Sequence, residues 1–303
     1  MESHDHGSAD PLSLHGIVPP TVTAFHEDET VDYETTAEHA RFVVDGGAHG
    51  VFPLGTNGEV PLLAPEERNG VVDAVVDAVG DEVPVIAGVG APSTRETVTH
   101  AEHAESVGAD GLVVITPYYY PLDHEATLTH YERVAEATSL PIYVYHIPGR
   151  TGNRIPISTL EALAEIDAIA GLKDSSKDVP WLVQAMDATP ELTFLAGSDS
   201  LVFTSLEVGC AGAVSAVANA FPELVVDLYE TYEAGDESRA HELQSTVLGV
   251  RKAFKSGGGY MSGVKTTLRL RGFDAGPLRS PLRVGSESES ERLEERLREL
   301  DVL

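Results

Sequence analysis

Short apolar segments alternate with amphipathic helical segments along most of the chain. The apolar segments are rich in β-branched residues and are bounded by glycine or proline, a pattern typical of buried strands. Between them, apolar residues recur at helical spacing, as in residues 65–80, where a proline opens the segment and a glycine closes it. The pattern predicts eight strands, at residues 16–25, 50–56, 84–90, 111–119, 141–147, 169–173, 193–198 and 212–217.

Strands separated by helices pair in parallel through right-handed crossovers. A doubly wound open sheet satisfies this alternation, but eight units of about 25 to 30 residues favour a closed (β/α)8 barrel. We therefore expect a disordered tail over residues 1–13, a barrel over residues 14–222 and a helical C-terminal domain over residues 223–303. Within that last region, residues 255–263 predict a glycine-rich hinge and residues 285–291 predict a solvated linker.

Charge narrows the range of partners. The 303 residues include 49 acidic and 20 basic ones, a formal charge of −29, and such a surface repels phosphate backbones, so we expect no nucleic-acid binding. The acids are spread over the predicted helix faces rather than collected in one tail. This excess resembles that of halophilic proteins, whose charge repulsion is screened by molar salt, so we expect high salt to stabilise the fold.

Three further features of the sequence bear on the cellular compartment of the protein. The sequence has no run of 18 apolar residues, so we expect no transmembrane helix and no membrane partner. The first eleven residues lack the charged-then-apolar pattern of a secretion signal. Cys210 is the single cysteine, which rules out a disulfide within the chain and fits a reducing environment. Together these features predict a cytoplasmic protein.

Lys173 is the most unusual residue at a predicted strand end, the edge that faces the active site in such barrels. It closes the apolar run of residues 169–172 in a chain that has only five lysines. Burial disfavours an ammonium and lowers its pKa, and a free amine condenses with a ketone to a Schiff base, which eases the making or breaking of carbon–carbon bonds. The alternative is an ion pair between Lys173 and Asp174 at the barrel rim.

Two other strand ends carry groups that suit this chemistry. Alternation along residues 143–147 puts Tyr145 and His146 on opposite faces, so Tyr145 could shuttle protons beside Lys173 or could simply belong to the core. The segment GTNGE, residues 55–59, offers a hydroxyl, an amide and loop N–H groups that could bind a carboxylate. A tight strand-to-helix turn is the alternative interpretation of that segment.

Five motifs now combine into a family resemblance. GTNGE, PYYYP, YHIPGRTG, GLKDSS and GPLRSPL occur in this order between residues 55 and 282. Their order and spacing resemble those of the dihydrodipicolinate synthase and N-acetylneuraminate lyase superfamily, over roughly residues 14–283. The resemblance implies a (β/α)8 barrel with a helical C-terminal domain, a homotetramer, and a class I aldolase that forms a lysine imine and needs no metal or other cofactor.

The same resemblance implies roles for individual residues. Pyruvate, or a 2-keto acid that yields it, is expected to form the imine with Lys173, and Tyr145 is expected to shuttle protons. The substrate carboxylate is expected to bind at Gly55, Thr56 and Asn57, with Thr56 also in the catalytic set.

Four more positions complete the implied site. Tyr119 is implied to reach across a subunit interface toward the neighbouring site. The backbone around Val214 and Ser215 is implied to line the pyruvate pocket. Arg150 resembles the arginine with which dihydrodipicolinate synthases bind the carboxylate of aspartate semialdehyde.

Members of the superfamily share the imine and differ in the aldehyde substrate. Asn57 stands where the synthases carry the second threonine of GTTGE, and PYYYP is similar to the motif of archaeal 2-keto-3-deoxygluconate aldolases. Those aldolases often place a phosphate-binding arginine just after this motif, where the present chain has Leu122, so Arg150 or Arg154 would have to replace it.

We therefore predict a carbon–carbon lyase of carbohydrate metabolism that cleaves 2-keto-3-deoxygluconate or its 6-phosphate. The products are pyruvate and glyceraldehyde, or glyceraldehyde 3-phosphate. The alternative is 4-hydroxy-tetrahydrodipicolinate synthase, which condenses pyruvate with aspartate semialdehyde in lysine biosynthesis. Hydroxyoxoglutarate aldolases and keto-deoxy-acid dehydratases are further members to consider.

Two alternative functions lie outside the class I aldolases. A zinc-dependent aldolase would need histidine ligands, but the HDH segment lies in the predicted tail, and His100 and His103 are expected on an exposed helix face without a third ligand. We therefore predict no metal site. A non-catalytic sensor could use the same pocket to bind a keto acid, but it would not need the lysine, the tyrosine and the carboxylate-binding turn together.

Overall fold

Seven parallel strands form one curled sheet in the computed structural model, which describes Leu12 and residues 14–303. The strands lie side by side in the order β1-β7-β6-β5-β4-β3-β2. Apart from Leu12, the predicted tail of residues 1–13 falls outside the described residues. The bounds are β1 Gly16–Ile17, β2 Ile86–Gly88, β3 Gly111–Ile115, β4 Ile142–His146, β5 Ile169–Asp174, β6 Thr193–Ala196 and β7 Gly212–Ala213.

An eighth extended segment closes the sheet into a barrel. Val51 forms a parallel bridge with Val85, just before β2. On the other side, the N–H groups of His49 and Phe52 donate to the carbonyls of Ile17 and Pro19 at 2.8 and 2.9 Å. The segment around Val51 therefore fills the gap between β1 and β2, and the predicted (β/α)8 barrel is confirmed. Regular pairing in the first predicted strand stops early because Pro19 and Pro20 have no N–H to donate.

Helices cover the outside of the sheet and continue beyond it. Several begin at a side-chain cap, and the capping oxygens of Asp32, Ser93, Asp123, Asp178 and Ser286 accept backbone N–H groups of the first turn. None of the helices in the described part of the chain is both long and apolar enough to cross a membrane. The bounds are α1 Tyr33–Asp45, α2 Pro65–Val79, α3 Thr94–Ser106, α4 His124–Ala135, α5 Pro148–Thr151, α6 Ile157–Ala164, α7 Val179–Ala188, α8 Val202–Glu207, α9 Pro222–Glu233, α10 Glu237–Ser256, α11 Tyr260–Leu270 and α12 Glu287–Glu299.

The barrel interior is filled by side chains rather than left as a pore. Phe52, Ile86, Val113, Tyr143 and Leu195 belong to one buried cluster that also includes Tyr145 and Val214. At its lower end the Tyr143 hydroxyl donates to the Leu12 carbonyl at 2.6 Å, so the start of the described chain closes the bottom of the barrel. The open end for a substrate is therefore the edge where the strands finish.

The C-terminal region is helical, as predicted, and packs on the barrel. The long helix α10 contacts α9, α11 and α12, and it also contacts the short helical turn Asp199–Leu201 that follows β6. The predicted linker at residues 285–291 is wrong, because Ser286 caps α12 and Glu289 reaches back to the Ser286 N–H. The boundary at residue 222 stays a prediction; α9 begins there and packs against β1 and α8 as well as α10.

Candidate active site

Lys173 points into the upper end of the barrel from β5. Its side chain is 4% exposed, and its Nζ lies 3.7 Å from the centroid of the Tyr145 ring and 4.9 Å from that of Phe52. Burial lowers the pKa of Lys173, and the partial opposition from Tyr145 and Asp199 does not cancel that effect. The amine is therefore held closer to its neutral, nucleophilic form than a lysine in water.

The alternative of a Lys173–Asp174 ion pair at the rim is wrong. Asp174 follows on the same strand, so its side chain points to the opposite face. There its Oδ1 lies 2.9 Å from His146 Nδ1, and Ser176 donates to Oδ2 at 2.9 Å. The centroid of the His146 ring in turn lies 4.1 Å from that of Trp181 of α7, with the two ring planes tilted by 35°. The buried His146–Asp174 pair thus fixes β4 and β5 against each other behind Lys173.

Tyr145 is the direct neighbour of Lys173 across the sheet, since the two residues are paired in the β4–β5 register. Its hydroxyl lies 3.4 Å from Thr56 Oγ1, a long contact for two hydroxyls. Burial by itself raises the pKa of Tyr145. The Lys173 charge and the Thr56 and Ser175 hydroxyls together lower this pKa by more, so the net shift is downward. The phenol can therefore give up a proton more readily than a free tyrosine.

The GTNGE segment forms a one-turn helix, Thr56–Gly58, at the same edge. Thr56 and Asn57 line the cavity, and the buried Asn57 Nδ2 has no hydrogen-bond partner in the described structure. An unsatisfied buried donor is costly unless a ligand uses it, so this amide is available for a substrate oxygen. Gly55 does not line the cavity, and a Cβ there would lie only 3.0 Å from Phe52 Cε1, so this glycine lets the turn pack closely.

A cavity of about 490 Å³ rises from Lys173 to the surface. Val214 and Ala216 form one wall, which agrees with the expected position of this strand end. Ser215 is fully buried and does not line the cavity, and its hydroxyl donates to Asp199 Oδ1 at 2.6 Å.

Arg150 of the third motif and Arg154, which follows that motif, differ in position. Arg150, in α5, is exposed and lines the cavity, and its guanidinium forms no ion pair with any residue that the structure describes. Arg154 lies outside the cavity and is paired with Asp178, with Nη2 2.7 Å from Oδ2. Arg150 therefore faces the substrate space and Arg154 does not.

Tyr119 does not line the cavity of its own chain. Its side chain is 85% exposed, and its backbone has a φ of +82°, in the left-handed region that non-glycine residues rarely adopt. The neighbouring Tyr120 is also exposed and lies edge-on against it. The sequence-based role of Tyr119 at a subunit interface stays a prediction.

Comparison with known proteins decides the family. The model of the dihydrodipicolinate synthetase family matches residues 13–300, almost the whole chain. The chain belongs to the dihydrodipicolinate synthetase family. This confirms the superfamily resemblance, whereas the closer likeness to archaeal 2-keto-3-deoxygluconate aldolases stays a prediction.

Individual members of the family match from three quarters to nearly all of the chain. The chain is 68% identical over 297 residues to a DapA-like lyase of Halobacterium salinarum, covering 98% of this chain and 97% of that protein. It is 41% identical to the 4-hydroxy-tetrahydrodipicolinate synthase of Natronomonas pharaonis, over 76% and 78% of the two chains. Among solved structures, YagE, a prophage protein from E. coli K12 crystallised with pyruvate, has 30% identity and a TM-score of 0.91, over 95% of this chain and 99% of that one.

Several cavity residues of this family member were given no role by the sequence. Asp199 follows β6 and lines the cavity. Arg251 and Lys255 come from α10, and Tyr260 begins α11, yet all three line the cavity. A residue so far along the chain can be placed at a barrel mouth only when the packing of the C-terminal helices is known.

The histidines considered as metal ligands have other partners. His100 is buried between α3 and α2, with Nδ1 3.2 Å from Asn69 Oδ1, and His103 Nε2 lies 2.7 Å from Asp73 Oδ1. The expectation that this pair sits on an exposed face is wrong for His100, which is only 5% exposed. Residues 14–303 contain no group of three potential metal ligands, and the HDH segment lies outside the described residues.

Proposed function

We propose that this chain is a Schiff-base-forming lyase that cleaves a 2-keto-3-deoxy sugar acid of the gluconate type to pyruvate and a glyceraldehyde. The observation that carries the proposal is the buried amine of Lys173 at the base of the cavity, with a phenol beside it and no carboxylate paired to it in the described chain. A lysine that serves only the fold would be expected to have such a partner.

The chemistry follows from these groups. The Lys173 amine adds to the C2 ketone of the substrate, and loss of water gives a protonated imine. Removal of the C4 hydroxyl proton then breaks the C3–C4 bond, the aldehyde leaves, and the electron pair moves to the imine nitrogen as an enamine. Protonation at C3 and hydrolysis release pyruvate and restore the amine.

Tyr145 and Asn57 fit the remaining tasks. The Tyr145 hydroxyl, with its lowered pKa and its place beside Thr56, is suited to move protons to and from the substrate oxygens. The unpartnered Asn57 amide, together with the Thr56 hydroxyl, is suited to hold the substrate carboxylate. Gly55 contributes by letting this turn pack closely against the Phe52 ring.

The choice of a sugar acid rests on two observations. Asn57 supplies an amide where the synthases have a second hydroxyl, which changes the relay that their reaction uses. The chain is also much closer to the Halobacterium lyase, at 68% identity, than to the Natronomonas synthase, at 41%. That difference in sequence identity supports a lyase whose reaction is distinct from that of the Natronomonas synthase.

The alternative is condensation of pyruvate with aspartate semialdehyde. Two observations favour it: Arg150 faces the cavity without an ionic partner, and the Natronomonas relative is named a 4-hydroxy-tetrahydrodipicolinate synthase. Both reactions begin with the same imine, so they differ only in the aldehyde that enters the outer part of the cavity.

Assembly and environment complete the proposal. An exposed tyrosine with a left-handed backbone is the kind of strain that functional positions retain, so we propose that Tyr119 enters a neighbouring subunit's site in a homotetramer. The formal charge of −29 and the Halobacterium relative support adaptation to high salt.

Borohydride trapping with two activity assays tests this function. Reduction in the presence of pyruvate should attach the keto acid covalently to Lys173, as found by peptide mass spectrometry. Cleavage of 2-keto-3-deoxygluconate or its phosphate should then be faster than condensation of pyruvate with aspartate semialdehyde at high KCl. Faster condensation would favour the synthase, and absence of any trapped adduct would remove both reactions.

A further inference from the structure

The pairing of β4 with β5 changes register part-way along the two strands. Ile142 pairs with Ile169. The next residue of β4, Tyr143, pairs with Gly171, so Ala170 of β5 is skipped. Among the strand pairs of the described sheet, only this one shifts. The contact between the starts of these two strands therefore does not determine which side chains meet at their ends.

The shift decides which residue lies beside Tyr145. If the first register continued without a skipped residue, Leu172 would pair with Tyr145, whereas the observed register places Lys173 there. Apolar patterning does not choose between the two registers, because every residue of β4 and all but one of β5 are buried. A contact that is specific to the second register is therefore needed to hold Lys173 beside the phenol.

His146 and Asp174 supply such a contact. They form the next register pair after Tyr145 and Lys173, and their side chains point to the other face of the sheet. Nδ1 of the imidazole lies 2.9 Å from Oδ1 of the carboxylate, and both side chains are buried from water. In the unshifted register His146 would instead pair with Lys173. The bond between imidazole and carboxylate thus belongs to the observed register.

Stability alone does not explain this buried pair. Nε2 of the His146 ring is also buried, and it has no hydrogen-bond partner among the residues that the structure describes. A buried polar atom without a partner costs free energy, and apolar residues of similar volume often replace a buried ion pair without loss of stability. The best-attested role of such polar groups is to specify one arrangement of a fold.

Asp174 also orders the loop that follows Lys173. Its Oδ1 accepts the Ser176 N–H at 3.0 Å, and its Oδ2 accepts the Ser176 hydroxyl at 2.9 Å. The Ser175 N–H donates to the His146 carbonyl at 2.8 Å. Ser175, which lies between these contacts, lines the cavity. The pair is therefore connected to the substrate side of the barrel although it lies behind it.

We propose that the hydrogen bond between His146 and Asp174 selects the register in which Lys173 lies beside the phenol of β4. Both are positioning residues, since neither side chain lines the cavity. The effect on turnover rests on the proposed imine chemistry, whereas the effect on the pairing of the two strands does not.

Two variants and a control separate this role from stability. His146→Leu with Asp174→Val leaves an apolar pair, so the melting temperature should stay within a few degrees of the wild type. Its kcat and its rate of borohydride trapping with pyruvate should fall by about 10- to 100-fold, because the amine and the phenol lose their alignment. The matched control is His130→Leu with Thr94→Val, which removes a buried histidine and its hydroxyl partner between α3 and α4.

His146→Asn is the conservative variant. Its side-chain nitrogen is bonded to Cγ, as Nδ1 is in histidine, so it can still donate to Asp174. Its kcat and trapping rate should stay within about 3-fold of the wild type, even though the smaller side chain leaves a cavity beside Trp181 and lowers the melting temperature. Activity and stability should therefore change in opposite order in the two variants.

Amide hydrogen exchange separates the failure of this inference from the failure of the lyase function. Peptides that cover residues 142–146 and 169–174 are followed by mass spectrometry without substrate. Exchange that is faster only in the apolar double variant supports the register contact, even if the wild type forms no pyruvate adduct. Exchange and trapping that both stay at wild-type rates in that variant, or a loss of trapping that is equally large in His146→Asn, overturns it.

Discussion

Two lysines of this protein are almost equally buried and have opposite surroundings. Lys173 is 4% exposed and Lys265, in α11, is 3% exposed. The Nζ of Lys265 lies 3.1 Å from Glu59 Oε1 and donates to the Pro277 carbonyl at 2.7 Å. Lys173 has an aromatic ring beside it instead. Burial lowers the pKa of both, but of the two only Lys265 has a carboxylate within ion-pair distance in the described structure.

The difference indicates that burial by itself does not determine what a lysine does in this fold. A buried ammonium with a carboxylate partner holds two parts of the chain together, whereas one without a partner is driven toward the neutral amine. The two lysines also serve one site, because the carboxylate that pairs with Lys265 belongs to Glu59, the last residue of the GTNGE turn. The other oxygen of this carboxylate, Oε2, accepts the Arg279 N–H at 2.9 Å. Lys265 therefore holds in place, from behind, the turn that presents Thr56 and Asn57.

The largest effect is expected for Lys173→Met. Loss of the amine removes the imine, so activity should fall by roughly 10⁴-fold or more. The melting temperature should not fall, because the replacement removes an unpaired buried amine from an apolar setting. Steady-state kinetics and thermal unfolding measure the two outcomes, with Lys252→Met as the control. Residual activity close to that of the wild type would assign the chemistry to another residue.

Lys265→Met should mainly affect stability. It leaves the Glu59 carboxylate buried without its cation, a change that costs about 3–5 kcal/mol in the free energy of unfolding. Denaturant unfolding in high KCl measures that loss. The double variant Lys265→Met with Glu59→Gln should recover part of it, since the second change removes the uncompensated charge. If Lys265→Met is as mild as Lys252→Met, the ion pair does not hold the turn.

The smallest effect is expected in the pH dependence of borohydride trapping, which distinguishes Lys173 from Lys265. The pKa of Lys173 is lowered from its ordinary value near 10.5, so the fraction of free amine rises with pH and reaches its plateau earlier than for a lysine in water. The initial rate of borohydride trapping with pyruvate should rise with pH and level off at a midpoint below 10.5. Glu59→Gln should move this midpoint little. A rate that still climbs above pH 10.5 would contradict a lowered pKa.

The parts of this structure that depend on local pattern could be predicted from the sequence. Strand alternation located the barrel, and the apolar run before Lys173 located the amine. Because parallel strands end at one edge, the same reasoning brought Tyr145 and Thr56 near it. The carboxylate partner of Lys265 could not be foreseen, because Glu59 lies about two hundred residues earlier and meets it only when α11 packs on the barrel.

The residues that α10 contributes to the cavity wall could not be predicted from the sequence, for the same reason. Arg251 and Lys255 follow an ordinary helical pattern, and only the position of α10 over the turn Asp199–Leu201 brings them to the cavity.

Arg251 and Lys255 also have a consequence for how such an enzyme can diversify. The proposed covalent step uses Tyr145 of β4 and Lys173 of β5, whereas one face of α10 supplies Arg251 and Lys255 to the cavity lining. Exchanges on that helix face can therefore alter which aldehyde is accepted while the amine and phenol stay in register. A new preference can arise by drift in one helix, without rebuilding the barrel.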